Sequence, residues 1–193
     1  MYITKQDIQK TLASMVDFYS GLKKHFDDFD MNLESNLGRR NIFMSMVQEE
    51  FLARSLQEKY KSVISDGAPG MPDVYIGDIN KEIECKLTTV NKSGSISFQS
   101  DYETLLQKGS LDYLYFIASP DFDKFTVLLF EGLTVDDFRP LSPGSRGKVA
   151  MKKHEGMKKC TVLWGDVIHK NEIEIQKIDG LTQDRKSTRL NSS

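Results

Sequence analysis

The chain has 193 residues, 39% of them hydrophobic and 28% charged, with a formal net charge of −2. That length suits one full core rather than two, and a near-neutral total excludes a protein that coats nucleic acid through bulk charge. Cys85 and Cys160 offer neither a disulfide framework nor metal-ligand spacing, and no apolar run approaches membrane length, so an intracellular, cytoplasmic protein is expected.

Ile8, Leu12, Met15, Val16, Tyr19, Leu22 and Phe26 recur at helical spacing, which predicts an amphipathic helix over 5–26. Residues 27–38 read as a connection. A second helix is expected over 41–56, reaching as far as residue 60, with Ile42, Phe43, Met44, Met46, Val47 and Phe51 as its buried set. Residues 65–71 form a Gly- and Pro-containing loop that leads into a hairpin. Its first strand is Asp73-Val74-Tyr75-Ile76, its turn Gly77-Asp78-Ile79-Asn80, and its second strand 81–87. Side chains alternate along a strand, so Glu82, Glu84 and Lys86 share one face while Ile83, Cys85 and Leu87 share the other. Val74 and Ile76 join the apolar face, which leaves Asp73 and Tyr75 on the polar side.

Beyond the hairpin, 94–99 reads as a strand or an active-site loop, and 101–108 as a short helix capped by Ser100 or Asp101. The apolar runs 111–118 and 125–130 are continuous enough for central strands. Residues 143–160 carry Arg146, Lys148, Lys152, Lys153, Lys158 and Lys159 against the single Glu155, with glycines that make parts of the segment loop-like. Such a stripe suits phosphate contacts. Trp164-Gly165 and 173–178 suggest a late strand pair outside the core. Residues 184–193 lack periodicity and are expected to be a disordered tail or a cloning scar. One domain is therefore expected over 1–183.

Two carboxylates and a lysine on one face of a hairpin suit a divalent cation. Mg²⁺ takes one or two carboxylates plus waters and phosphate oxygens, which Asp73 and Glu84 would supply. Lys86, pointing the same way as Glu84, can orient a water or offset charge on phosphate. Together they suggest metal-assisted phosphodiester hydrolysis. His25, His154 and His169 are too dispersed for zinc. His154, within the basic segment, is a candidate phosphate contact, and Ser97 and Gln99 have side chains able to read base edges.

Gly70-Met71-Pro72-Asp73-Val74 followed by Glu84-Cys85-Lys86 resembles the signature of the PD-(D/E)xK nuclease superfamily, and in particular the type II restriction endonucleases. The motif itself is short; the order of elements extends the resemblance over about residues 35–135. It implies an α/β fold of the restriction-endonuclease type, with a mixed central β-sheet flanked by helices. It also implies metal ligation by Asp73 and Glu84, water activation aided by Lys86, and a completing glutamate from the preceding helix, either Glu49 or Glu50. At about 100° per residue the buried set of that helix centres near Phe43 and Val47, which turns Glu50 inward and Glu49 away. An inward carboxylate is costly unless paired or metal-bound, so Glu50 is the expected ligand.

The resemblance thus implies a Mg²⁺-dependent, sequence-specific endonuclease, with Mn²⁺ as a substitute metal. Its partner is double-stranded DNA, contacted through Ser97, Gln99, Arg146, Lys148, Lys152, Lys153 and His154, and its products carry 5′-phosphate ends. A symmetric site is most simply cut by a homodimer. Two other readings stand beside it. One is a repair or junction-resolving nuclease of the same fold; the other is a non-catalytic DNA-binding protein in which Asp73, Glu84 and Lys86 form only a salt-bridge set.

Overall fold

The structure, a computed structural model, describes residues 1–68, 70–90 and 96–165. Helix α1 spans Lys5–Asp27 and starts at a capping box: Thr4 Oγ1 accepts from the Asp7 N–H, and Asp7 Oδ2 accepts from the Thr4 N–H at 2.7 Å. Helix α2 spans Leu37–Gln57, four residues earlier at its start than the predicted 41, because Asn36 Oδ1 caps it by accepting from the Arg39 N–H at 3.1 Å. There follow β1 (Val63–Ile64), β2 (Val74–Ile76), β3 (Lys81–Thr89), β4 (Gln99–Asp101), α3 (Tyr102–Lys108), β5 (Leu111–Ala118), β6 (Phe125–Leu133), β7 (Lys148–Ala150), α4 (Lys153–Gly156) and β8 (Cys160–Gly165).

The main sheet has the order β1-β2-β3-β5-β6-β8. The β3–β5 pair is parallel and the other neighbours are antiparallel, so the fold is α/β with a mostly antiparallel central sheet flanked by helices. The predicted hairpin is present, with Val74 opposite Ile83 and Ile76 opposite Lys81. Gly77 permits its turn: the Gly77 N–H reaches Ser62 O at 2.7 Å, and a Cβ there would run into the Ser62 side chain. Strand β8, which contains Trp164 and Gly165, does not lie outside the core. It pairs with β6 and closes one edge of the main sheet. The predicted strand 173–178 and the tail 184–193 fall outside the described residues.

Both faces of β5 are covered, since all eight of its residues are buried. A two-stranded ribbon, β4 with β7, lies over the face carrying Tyr113 and Tyr115. Tyr115 Oη donates to Gln99 O at 2.8 Å, and the Tyr113 hydroxyl meets that of Ser100. This leaves α1 and α2, which pack on each other, to cover the opposite face. The basic segment therefore contributes a strand and a helical turn to the fold and is not a loop throughout. No helix among the described residues is long and apolar enough to cross a membrane.

The face that α2 turns inward differs from the expected one. Arg40, Met44, Gln48, Leu52 and Leu56 are buried at successive four-residue steps, whereas Ile42, Phe43 and Met46 are exposed. Arg40 is accommodated because its guanidinium donates to Pro120 O and to Thr89 Oγ1 (2.9 Å) and stacks 4.9 Å from the Phe122 ring centre. An Arg40→Met substitution strands those acceptors in the interior and is expected to cost about 3 kcal/mol of unfolding free energy, readable by urea denaturation. A loss of a few tenths would mean that the carbonyls find other partners.

Candidate active site

The site forms where β2 runs out. Beyond Val74 the edge of β3 has no further β2 residue opposite it, and the Cys85 N–H on that edge donates instead to Asp73 Oδ2 at 2.7 Å. This bond fixes the Asp73 carboxylate against the strand that carries Glu84 and Lys86. Lys86 Nζ lies 3.0 Å from Glu84 Oε2 and 3.3 Å from Asp73 Oδ2, bridging both acids. Alternation along β3 places Glu84 and Lys86 on one face and buries Ile83 and Cys85 on the other, as the sequence predicted. In the β3–β5 register Glu84 and Lys86 stand beside Tyr113 and Tyr115.

Of the two candidate glutamates on α2, Glu49 and not Glu50 lies beside these residues. Glu50 is exposed and pairs with Arg54, one helical turn on, at 2.7 Å. Glu49 lines a cavity of about 440 Å³ together with Asn41, Ser45, Asp73, Cys85, Lys86 and Thr88. The expected choice failed because the apolar residues used to orient the helix, Ile42, Phe43 and Met46, face solvent. The usable signal was polar: Asn41, Ser45 and Glu49 recur every four residues and so form one stripe along α2.

Electrostatics tie Glu49 to the other two acids. Burial, followed by the negative charge of Asp73, pushes its carboxyl up to about 7; Glu84 adds to the rise and Lys86 opposes it. Lys86 loses solvation on burial, yet Glu84 and Asp73 outweigh this and raise its pKa, so it stays an ammonium at neutral pH. Burial also raises the Cys85 thiol well above its ordinary range, reinforced by Asp73 and Glu49, which leaves it protonated and unreactive.

Asp73, Glu84 and Glu49 carry oxygen donors of the kind that suits a hard cation such as Mg²⁺. Among the described residues no three His, Cys, Asp or Glu side chains are gathered into a ready-made ligand cluster. Lys86 instead bridges Asp73 and Glu84.

The basic candidates divide into two groups. Ser97, Lys152, Lys153 and His154 line one cavity together with Arg139, a residue the sequence did not single out. Arg146 sits on an exposed turn with φ 52°, Lys148 lies 3.6 Å from the Asp101 carboxylate, and Gln99 is exposed on β4. Lys158 and Lys159 are engaged elsewhere, with Glu155 and with Asp137. Neither a protein-family model nor a curated protein sequence matches the chain.

Proposed function

We propose that this chain is a Mg²⁺-dependent endonuclease of the restriction-endonuclease-like fold that hydrolyses phosphodiester bonds in double-stranded DNA at specific sites. Asp73 and Glu84 would hold the metal, and Glu49, rather than Glu50, would complete the set from α2. The observation that carries this reading is Glu49. Two acids bridged by a lysine also describe an ordinary salt-bridge set, but a third, half-buried acid lining the same cavity and raised by their charge costs the folded chain energy and gives such a set nothing. A cation resolves that conflict.

Mg²⁺, when bound, supplies Lewis acidity at the phosphate and an acidified water. The chain's own contribution is positional and electrostatic. The Cys85 N–H and Lys86 fix Asp73, while Lys86 as an ammonium donates to an attacking water or to a phosphate oxygen and balances the charge that develops in the transition state. In the metal-free chain the Glu84 and Asp73 carboxylates hold Lys86 protonated, which suits an orienting and charge-balancing role. Attack in line with the 3′ oxygen leaves a 5′-phosphate and a 3′-hydroxyl. Mn²⁺ substitutes for Mg²⁺, and two copies related by a two-fold axis act on the two strands of a symmetric site.

The substrate is tested with a linear duplex and a four-way junction of the same sequence composition, incubated with Mg²⁺ and mapped at their ends. Cleavage of the duplex to 5′-phosphate ends is expected. Cleavage confined to the junction would replace the restriction reading with a junction-resolving one.

A further inference from the structure

A second cavity, of about 470 Å³, lies outside the residues assigned to hydrolysis. Its volume falls in the roughly 300–1,000 Å³ range of sites for small organic ligands. Its wall includes Ile96, Phe98 and Met151, all nearly inaccessible to solvent, and its rim includes Arg139, Lys152 and His154. Backbone hydrogen bonds hold wall and rim together. The Met151 N–H donates to Phe98 O at 2.8 Å, the Arg139 N–H to Ala150 O at 2.8 Å, and the Lys152 N–H to Asp137 O at 2.8 Å. The Arg139 side chain is exposed and has no ion pair among the described residues. Lys152 Nζ is steadied by Asp136 O at 2.9 Å.

A groove that only tracks a phosphate backbone needs cations and N–H donors on an open surface. An apolar wall behind the cations serves a different group, one that is flat, poorly hydrated and attached to a phosphate. The strand that continues the wall is β4, whose Gln99 and Ser100 bond to Tyr115 and Tyr113, the β5 neighbours of Lys86 and Glu84. The cavity is thus joined through one strand pair to the face that carries the catalytic lysine.

We propose that this cavity receives a single unstacked nucleotide of the DNA, with its base inside the cavity lined by Ile96, Ser97 and Ala150 over the Phe98 and Met151 floor, and its phosphate on Arg139 and Lys152. The proposal rests on the nucleic-acid reading above and makes the cavity a site of base selection. A base withdrawn from the stack is read by pocket shape and by its hydrogen-bonding edge, which an exposed basic stripe cannot do.

The test needs no catalysis. The full chain is titrated in EDTA with each of the four deoxynucleoside 5′-monophosphates and with inorganic phosphate, followed by ligand-observed NMR. At least one nucleotide is expected to bind about tenfold more tightly than phosphate, a difference of about 1.4 kcal/mol. Arg139→Ala, a change at an exposed position that leaves the core intact, is expected to weaken that binding severalfold, and Asp73→Asn to leave it unchanged. The proposal is overturned if no nucleotide binds, if phosphate binds as well as the nucleotides, or if Asp73→Asn removes the binding and Arg139→Ala does not. A chain that cuts DNA with Mg²⁺ but binds no nucleotide loses this cavity and keeps its nuclease assignment. One that binds nucleotides and never cuts has the reverse outcome.

Discussion

Lys86→Ala is expected to lower DNA cleavage by about 10³-fold while leaving the fold intact. Removing one donor aimed at charge that develops in a transition state costs about 10²–10³ in kcat, or roughly 3–4 kcal/mol. Lys86 is placed for that task, 3.0 Å from Glu84 and 3.3 Å from Asp73, and their two carboxylates keep it protonated. Its loss also removes the one cation among three acids, so metal should bind at least as tightly to the variant as to the wild type. Activity falls and metal affinity does not: that combination separates a catalytic lysine from a structural one. Asp73→Asn should be at least as damaging, through loss of a ligand charge, yet its amide oxygen still accepts from the Cys85 N–H and preserves the strand edge. Near-normal cleavage by either variant would remove Asp73 and Lys86 from the chemistry.

The adjacent glutamates of α2 give the second large contrast. Glu49→Gln is expected to lose about 100-fold or more in cleavage, and Glu50→Gln to stay within about twofold, since only Glu49 faces Asp73 and Lys86. The same substitution should stabilise the metal-free protein at high pH. A glutamate ordinarily releases its proton near 4.5, and Glu49 in the folded chain holds it up to about 7. Between those values the folded state binds the extra proton, so this residue's contribution to stability falls as pH rises through that window. In EDTA, Glu49→Gln should therefore melt above the wild type at pH 8 and show no such gain at pH 4. A variant that is inactive but no more stable at pH 8 would deny the carboxylate crowding on which the metal reading depends.

The hairpin was legible in the sequence because every local signal agreed: strand alternation, a Gly-Asp-Ile-Asn turn, and carboxylates and lysine in phase. Hence Asp73, Glu84 and Lys86 come together as expected. Helix α2 was legible as a helix but not in its orientation. Its inward stripe includes Arg40 and Gln48, 1% and 0% exposed, while Ile42 is 74% exposed. Periodicity assumes that apolar residues face inward, and Arg40 breaks the assumption through acceptors about 80 positions away, in Ser119 and Pro120. No window along the helix contains that information. The pairing of β4 with β7 was hidden for a similar reason: Ser100 pairs with Val149 across intervening strands, which no short-range pattern around either residue encodes. Strand β8 was placed outside the core because pairing with β6 depends on chain topology that short-range pattern does not encode.

The most direct measurement is incubation of the purified chain with unmethylated phage DNA, in Mg²⁺ and in EDTA, beside Asp73→Asn prepared identically. The account predicts discrete fragments with Mg²⁺, intact DNA with EDTA, and intact DNA with the variant under both conditions. Fragments that persist in EDTA or with Asp73→Asn would contradict it, as would intact DNA in all four lanes.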